Sequence, residues 1–456
     1  MSDIIEKALQ FKKDHSTRFL DELITFVSIP SISTDISVKP DMHRAAEWVA
    51  GQLQNLGLSR VRVMPTAGHP VVFGESLEAG KDKPVVLVYG HYDVQPAEPL
   101  GLWHTPPFEP TQSGENLFGR GASDMKGQVV ACLKAIESLS ISGNLPVNVK
   151  FFIEGEEEIG SPNLSAFILE NKELLASDFA LNPDAGMLNP DLPTITYGLR
   201  GLAYFEVRVS GPTQDLHSGL FGGAVHNPAQ VLCELIAGMH DQQGRVTLPG
   251  FYNRVRALDP KECAELTRLP IGEDFYLKQT GVPALFGEQG YTSLERVGGR
   301  PTLEVNGMSS GYTGEGQKTV LPARAFAKIS MRLVPDQVPE EVYQQLISYM
   351  KENAPKTIKW EVIKMASSRA SITDRNHPAV VTLTRAMEDT WGVKPVFKRE
   401  GGSVPVVGQL YDILGIDSVL TGFGLPDDNL HAPNEKLHLP TFYRGIEALI
   451  RFFGYL

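Results

Sequence analysis

Two side chains that could take part in a metal site come directly after an apolar segment of this sequence. His91 and Asp93 come after residues 85–89, within the segment Gly-His-Tyr-Asp-Val-Gln-Pro. Residues i and i+2 of an extended segment point to the same side. A neutral imidazole could therefore bind a metal while the nearby carboxylate fixes its orientation. Taken alone, the pair fits a hydrogen-bonded histidine at a strand end better than a metal site.

Carboxylates are concentrated in two further segments. Asp124 lies in Gly-Arg-Gly-Ala-Ser-Asp-Met-Lys-Gly, just before a helical pattern, where a capping or turn residue is the simpler interpretation. Four acids, Glu154 and Glu156 to Glu158, follow the apolar residues 147–153. Carboxylates crowded together repel one another and gain nothing without a cation. Metal binding combined with a general base therefore explains this segment better than a solvated acidic loop does.

Two more polar residues complete a candidate set. Asp184 follows the apolar residues 178–181, and His431 lies in a polar loop before the last helical pattern. His91, Asp124, Glu158 and Asp184 are spaced by roughly 30 residues, the length of one βαβ unit, so we expect them along one edge of one sheet. Two histidines and three carboxylates suit two borderline metals such as Zn²⁺, bridged by a carboxylate and a water.

The elements that must position these residues form two patterns. Up to residue 198, apolar strands alternate with helices, which indicates an α/β sheet with parallel members whose ligands gather at the carboxyl ends of the strands. From there, alternating strands at 202–209 and 325–333 and helices at 228–239 and 340–352 indicate a smaller α+β domain. We therefore predict a first domain, 1–198 and 371–456, interrupted by a second domain, 199–370.

Composition narrows the class of protein. The 456 residues include 42 Lys and Arg against 54 Asp and Glu, a formal net charge of −12. This balance argues against nucleic-acid binding and against adhesion to anionic membranes, because both need a basic face. Three scattered cysteines exclude a disulfide framework and a thiolate zinc site. Charges interleaved near the N-terminus argue against a secretory signal, and no apolar run approaches ~20 residues, so a cytoplasmic protein is expected.

Taken together, the motifs resemble those of metallopeptidase family 20, the dinuclear zinc exopeptidases. The segments GHYDVQP, GRGASDMKG, GEEEIGS, DLHSGLFGG, REGGSVP and HAPNEKL occur in the order of that family, over nearly the whole chain. The branch of the cytosolic non-specific dipeptidases and carnosinases is the most similar. This resemblance implies a zinc-exopeptidase-like catalytic domain with a mixed sheet, interrupted by a ferredoxin-like lid domain that also forms a homodimer.

The resemblance also implies a role for each matching residue. His91 and Asp184 would hold one divalent metal ion, Zn²⁺ or Mn²⁺, Glu158 and His431 would hold a second, and Asp124 would bridge them. Asp93 would support the histidine ligand, and Glu157 would be the general base, a register that depends on aligning Glu-Glu-x-Gly-Ser. His217 would reach the active site of the partner subunit and stabilise an oxyanion. The residues expected to contact substrate are Arg332, Thr319, Ser403 and His377.

The implied activity is metal-dependent hydrolysis of dipeptides or short peptides with a free C-terminal carboxylate. An N-acyl-amino-acid deacylase with the same two metals is an open alternative, which the sequence distinguishes poorly. A non-catalytic metal-binding scaffold is disfavoured, since it would need no Glu157. A serine hydrolase centred on Ser403 is disfavoured because Gly-Gly-Ser-Val-Pro is not a Gly-x-Ser-x-Gly elbow.

Overall fold

The computed structural model describes residues 2–456, which form two compact units. The first unit contains the described chain up to Tyr197 together with Thr373–Lys398 and Pro405–Leu456. The second contains Gly198–Ile372 and Arg399–Val404. The predicted boundaries placed the last of these segments in the first domain. It groups with the second unit instead, where Gly401 and Ser403 hydrogen-bond to Arg200.

Helices and strands alternate through the chain, and their bounds are as follows. The helices are α1 (Ser2–Asp14), α2 (Ser16–Val27), α3 (Lys39–Asn55), α4 (Gly127–Ser142), α5 (Leu164–Glu170), α6 (Lys172–Leu175), α7 (Ser218–Phe221), α8 (Pro228–Ala237), α9 (Pro260–Leu266), α10 (Glu273–Thr280), α11 (Ser293–Gly299), α12 (Pro339–Asn353), α13 (Pro378–Trp391), α14 (Pro405–Leu414) and α15 (Leu439–Tyr455). The strands are β1 (Ser59–Met64), β2 (Val71–Ser76), β3 (Val85–His91), β4 (Thr111–Ser113), β5 (Asn116–Phe118), β6 (Asn148–Glu154), β7 (Phe179–Asn182), β8 (Thr194–Leu199), β9 (Gly201–Ser210), β10 (Leu216–His217), β11 (Thr302–Ser310), β12 (Val320–Leu321), β13 (Arg324–Leu333), β14 (Lys359–Ser368), β15 (Ser371–Ile372), β16 (Val396–Glu400), β17 (Ser418–Leu420) and β18 (Lys436–His438).

The main sheet of the first unit has the strand order β1-β2-β6-β3-β7-β17-β8. Its central strands β6, β3, β7 and β17 are parallel, and its outer pairings are antiparallel. The predicted α/β class with a mixed sheet is confirmed. β3 and β6 are buried along nearly their whole length because parallel strands are covered on both faces.

Helices pack on both faces of this sheet. On one face, Val86 and Val88 join a core that includes α4, α15 and α1. On the other face, Phe152 of β6 stacks on Phe167 of α5, with ring centroids 5.9 Å apart. α4 is buried on nearly every side because it contacts both β3 and the helices α1, α2 and α15.

Three neighbouring parallel strands end at the same edge of this sheet, and each carries candidate site residues. His91 is the last residue of β3, Glu157 and Glu158 follow β6, and Asp184 follows β7. The expectation that every ligand follows a strand of this sheet is wrong for Asp124. It lies in a turn at Ala122–Lys126, between α4 and the small separate sheet β18-β5-β4.

The four-stranded sheet of the second unit and its two long helices follow the order β9-α8-β11-β13-α12-β14, with β10 and α7 before α8, three short helices after it and β12 before β13. Its antiparallel sheet has the order β11-β13-β9-β14, which is the ferredoxin-like arrangement that the resemblance implied. The apolar positions of the alternating strands, such as Phe205 and Ile329, pack with Val231 of α8 and Leu346 of α12.

Some helix predictions were too simple. Apolar residues at helical spacing predict a single helix over residues 4–29. The structure has two helices there, α1 and α2, interrupted at His15, whose backbone leaves the helical region and whose ring stacks on Phe11. The pattern of residues 164–175 likewise predicts one helix, but the structure interrupts it at Asn171, between α5 and α6. No helix of the described residues combines the length and the apolar character that crossing a bilayer requires.

Candidate metal centre

A first group of metal-ligating side chains joins β3, β7 and the turn before α4. The Nε2 atom of His91 lies 3.3 Å from Oδ1 of Asp124 and 4.0 Å from Oδ2 of Asp184. One ligand atom from each of the three residues lies within 4.8 Å of the others. His91 is fully buried, so this group lies at the inner end of the site.

A second group shares one residue with the first. The Nε2 atom of His431 lies 3.0 Å from Oδ2 of Asp124 and 3.2 Å from Oε2 of Glu158. Asp124 therefore presents one carboxylate oxygen to each group. All five predicted metal ligands are brought together, in the two sets that the resemblance implied.

The donor atoms fit divalent cations. The Nε2 atom of His91 is buried and makes no hydrogen bond with any described residue, while its Nδ1 atom lies 3.0 Å from the backbone oxygen of Asp93. That contact makes Nδ1 the donor and leaves the Nε2 lone pair aimed at two carboxylates, as a metal-binding histidine requires. Imidazole and carboxylate ligands suit Zn²⁺ and Mn²⁺.

The electrostatics of the cluster show that it needs positive charge. Hydrogen bonds to Asp124 and Glu158 raise the pKa of His431 to about 10. Burial would lower the pKa of His91, but Asp124, Asp93 and Asp184 outweigh it and raise that pKa. Burial, and then the charge of Asp124, raises the pKa of Asp184 to about 7. These shifts share one cause, the negative charge gathered in a buried space, which bound cations would offset.

Glu157 lies in a single helical turn after β6 that Asp93 holds in place. Oδ1 of Asp93 accepts the backbone N–H of Glu157 at 3.3 Å, and Oδ2 accepts that of Glu158 at 3.0 Å. Burial raises the pKa of Glu157, and the charges of Asp184 and Glu158 raise it further. A carboxylate that binds a proton this readily is suited to act as a general base.

The neighbouring Glu156 belongs to a different set of contacts. Its carboxylate accepts hydrogen bonds from the side-chain amide of Asn163, at 3.0 Å to each oxygen, and from the backbone N–H of His69. It belongs to neither group of candidate ligands. This arrangement supports the register that assigns Glu157 as base and Glu158 as ligand.

Two groups that support the site were missed from the sequence. Gln95 donates its amide N–H to Oε2 of Glu158 at 2.8 Å. The buried carboxylate of Glu435 accepts four hydrogen bonds from the segment that leads to Asp124. Both residues lie within motifs already noted, GHYDVQP and HAPNEKL, so the motifs were the available signal.

His217 and Thr319 lie side by side in the second unit. The short strands β10 and β12 pair there, and Ser218 donates its backbone N–H to Thr319 O at 3.1 Å. The backbone N–H of Gly219 donates to Nδ1 of the exposed His217 at 3.0 Å. The neutral ring therefore carries its proton on Nε2, where it can donate a hydrogen bond.

Arg332 and Ser403 also lie together in the second unit. Nη1 of Arg332 donates to Oγ of Ser403 at 2.9 Å, and that hydroxyl donates to the backbone oxygen of Arg200 at 2.6 Å. Burial lowers the pKa of Arg332, and in the described chain no carboxylate offsets this effect. A half-buried guanidinium held in this way is suited to bind an anionic group.

His377 lies apart from the other candidates. Its Nδ1 atom accepts the backbone N–H of Ala379 at 3.2 Å and so caps α13. Its ring packs edge-on against Phe179, at the amino end of β7, whereas Asp184 follows the carboxyl end of that strand. This position does not support the predicted contact with substrate.

Comparison with known proteins agrees with this arrangement. The profile described as Peptidase family M20/M25/M40 matches residues 87–454. The chain is 32% identical to the Cys-Gly metallodipeptidase DUG1 of Candida albicans, over 95% of this chain and 93% of the relative. It is 30% identical to the human Beta-Ala-His dipeptidase, over 99% of this chain and 92% of the relative.

Solved structures show the same fold. A metallo-carboxypeptidase of the M20 family from Sulfolobus solfataricus superposes with a TM-score of 0.86 at 34% identity, covering 95% of this chain and 98% of the other. The dipeptidase Dug1p of Saccharomyces cerevisiae superposes with a TM-score of 0.83 at 28% identity and covers both chains completely.

Proposed function

This chain belongs to the peptidase family M20/M25/M40, and from that membership we propose that it is a metal-dependent dipeptidase. Its substrates are dipeptides or short peptides with a free C-terminal carboxylate. The observation that carries the proposal is the pair of ligand groups that share Asp124, with Glu157 in the adjoining turn. The relatives compared above include dipeptidases named for Cys-Gly and Beta-Ala-His, which favours this activity over N-acyl deacylation.

The residues of the first unit divide the chemistry between binding and proton transfer. His91, Asp124 and Asp184 would hold one divalent ion, and Asp124, Glu158 and His431 a second, Zn²⁺ or Mn²⁺ in each case. The bound cations supply Lewis acidity, which acidifies water and polarises the scissile carbonyl. Glu157 takes the proton of the attacking water and later delivers it to the leaving amine. Asp93 holds the turn that fixes Glu157 in position.

Four residues of the second unit are proposed to act on the substrate. Arg332, oriented by Ser403, binds the C-terminal carboxylate through charge-assisted hydrogen bonds. His217 donates its Nε2 proton to the developing oxyanion, and Thr319 lies beside it. We further propose a catalytic role for the first unit, a lid and dimer role for the second, and a homodimer in the cytoplasm.

The direct test compares substrates after metal reconstitution. The purified protein, stripped with chelator and reloaded with Mn²⁺ or Zn²⁺, is assayed on dipeptides, tripeptides and N-acetyl or N-succinyl amino acids. We expect the highest kcat/KM on dipeptides. A kcat/KM on N-acyl amino acids above that on every dipeptide would establish the deacylase instead. Activity that is indifferent to chelator would contradict the metal-dependent mechanism.

The assignment of the base has a matched control in the adjacent residue. Glu157→Gln removes the proton acceptor but keeps the shape of the side chain, so we expect kcat to fall at least 10²-fold while both metals stay bound. Glu156→Gln makes the same change one residue earlier, where the carboxylate accepts hydrogen bonds from Asn163 and His69. We expect that variant to keep kcat within a few-fold. Equal losses in both variants would contradict the assignment.

A further inference from the structure

One buried carboxylate joins the two loops that carry Asp124 and His431. The side chain of Glu435 is fully buried. Its Oε2 atom accepts hydrogen bonds from Nη1 of Arg120 at 2.7 Å and from the backbone N–H of Gly121 at 2.9 Å. Its Oε1 atom accepts the backbone N–H groups of Ser123 at 3.0 Å and Asp124 at 3.1 Å. Four donors around one carboxylate fix the backbone that leads to Asp124.

The same carboxylate is linked to the segment that carries His431. Arg120, its ion-pair partner, also donates through Nη2 to the backbone oxygens of Ala432 at 3.1 Å and Pro96 at 3.2 Å. Ala432 directly follows His431. The Glu435–Arg120 pair therefore connects the turn of Asp124, the loop of His431 and the turn after β3.

The loop of His431 depends on such support because three of its residues have left-handed backbone conformations. Asn429, His431 and Asn434 all have positive φ angles, of 56°, 59° and 63°. Residues other than glycine rarely adopt this conformation unless the surrounding structure holds them there. A second carboxylate contributes, since Asp428 accepts hydrogen bonds from the hydroxyl of Ser123 and the ammonium of Lys436.

We propose that Glu435 is a positioning residue for the metal centre, which sets the separation between Asp124 and His431 and thereby the affinity of the second cation site. Its carboxylate accepts hydrogen bonds from backbone N–H groups and Arg120, and it belongs to neither group of candidate ligands. The inference rests on the proposed metal ligands. Residues that orient metal ligands in this way typically contribute about 10- to 100-fold in metal affinity.

The test measures metal binding rather than turnover. Glu435→Gln keeps the shape of the side chain, but its amide nitrogen cannot accept the hydrogen bonds that one carboxylate oxygen accepts, and Arg120 loses its counter-charge. We expect the Kd of the weaker of two Mn²⁺ ions, measured by calorimetric titration of the metal-free protein, to rise at least tenfold. At one to two equivalents, electron paramagnetic resonance should show an isolated Mn²⁺ signal in the variant and a spin-coupled pair in the wild type.

Glu288→Gln is the matched control, because Glu288 forms a buried ion pair with Arg300 in the second unit. It should lower Tm and leave both Mn²⁺ affinities unchanged. If Glu435→Gln does not fold, Glu435→Asp replaces it in the test, because aspartate keeps the charge on a shorter side chain. We again expect the Kd of the weaker Mn²⁺ ion to rise. A folded Glu435 variant with wild-type affinities and a coupled signal would overturn the inference. A wild-type protein that binds no pair of ions would instead overturn the proposed function.

Discussion

Oδ2 of Asp93 accepts the backbone N–H of Glu158 at 3.0 Å, so a residue after β3 holds a ligand that follows β6. The resemblance had assigned Asp93 to the support of His91. Its Oδ1 atom does lie 3.4 Å from Nδ1 of His91, but both oxygens also serve the turn of Glu157 and Glu158. Asp93 thus connects a ligand of the first metal group with the base and with a ligand of the second.

Because Asp93 contacts both metal groups, we expect a conservative substitution of this residue to weaken the binding of both metal ions. In Asp93→Asn, one oxygen becomes an NH₂ group, which cannot accept a backbone N–H and leaves a buried donor unpaired. We expect both Mn²⁺ affinities to fall about 10-fold or more, with kcat falling in parallel. Asp259→Asn is the control, because Asp259 only caps α9 and asparagine is an equally good cap. If Asp93→Asn lowers the affinity for only one of the two Mn²⁺ ions, then Asp93 positions the ligands of one metal group and not of both.

Removal of metal should lower stability as well as activity. The cluster gathers several carboxylates that repel one another when no cation is bound. A ligand at 100 times its Kd stabilises a protein by about 2.7 kcal/mol, so we expect chelation to lower Tm on the order of 5 °C. Differential scanning fluorimetry with Mn²⁺ added back should restore it. K⁺ at the same ionic strength is the control, and an equal recovery with K⁺ would indicate charge screening instead of site binding.

The contact between Arg332 and Ser403 predicts an effect on substrate affinity. Arg332→Lys loses the planar fork that can bind a carboxylate at two points. Ser403→Ala removes the hydroxyl that orients Nη1. We expect KM for dipeptides to rise at least tenfold in the first variant and several-fold in the second, with kcat changed less. Dipeptide amides provide the control, since they lack the carboxylate. If a variant raises KM for dipeptide amides by the same factor as KM for free dipeptides, then Arg332 does not bind the C-terminal carboxylate.

The position of His377 gives a fourth prediction. His377→Ala removes the acceptor for the N–H of Ala379 at the start of α13, and loss of a helix cap costs about 1 kcal/mol. Urea denaturation should record this loss in the free energy of unfolding, while KM for dipeptides stays at the wild-type value. A tenfold rise in KM at unchanged stability would return His377 to the substrate site.

The candidate ligands could be predicted because their signals are local. His91, Glu158 and Asp184 each lie at or directly after an apolar strand, and the edge of a parallel sheet brings such residues together. Asp124 and His431 directly follow no strand of that sheet, so their spacing and polar surroundings made them candidates only, and their roles in the two groups came from the family motifs. The α+β class of the second unit followed from the alternation in β9 and β13, which is complete because one face of each strand is buried. Its ferredoxin-like arrangement was implied by the family resemblance.

Other features could not be predicted because they depend on contacts distant in sequence. Glu435 and Asp124 are 311 residues apart, and a lone glutamate after Pro-Asn carries no mark of four hydrogen-bond partners. The same is true of Glu156, which resembles the other acids of its cluster but accepts the backbone N–H of His69, 87 residues away. The edge strand β14 was missed because its exposed face carries few residues that favour a strand.

Asp124 gives one oxygen to the group of His91 and the other to the group of His431. The two positions therefore cannot be filled as independent equilibria. The first ion to bind orders the carboxylate of Asp124, so the second ion binds without the entropic cost of ordering that side chain. The like charge of the two ions has the opposite effect, because it disfavours binding both at once. Metal titrations of this protein should be fitted with a cooperativity parameter, whose sign reports which of these two effects is larger.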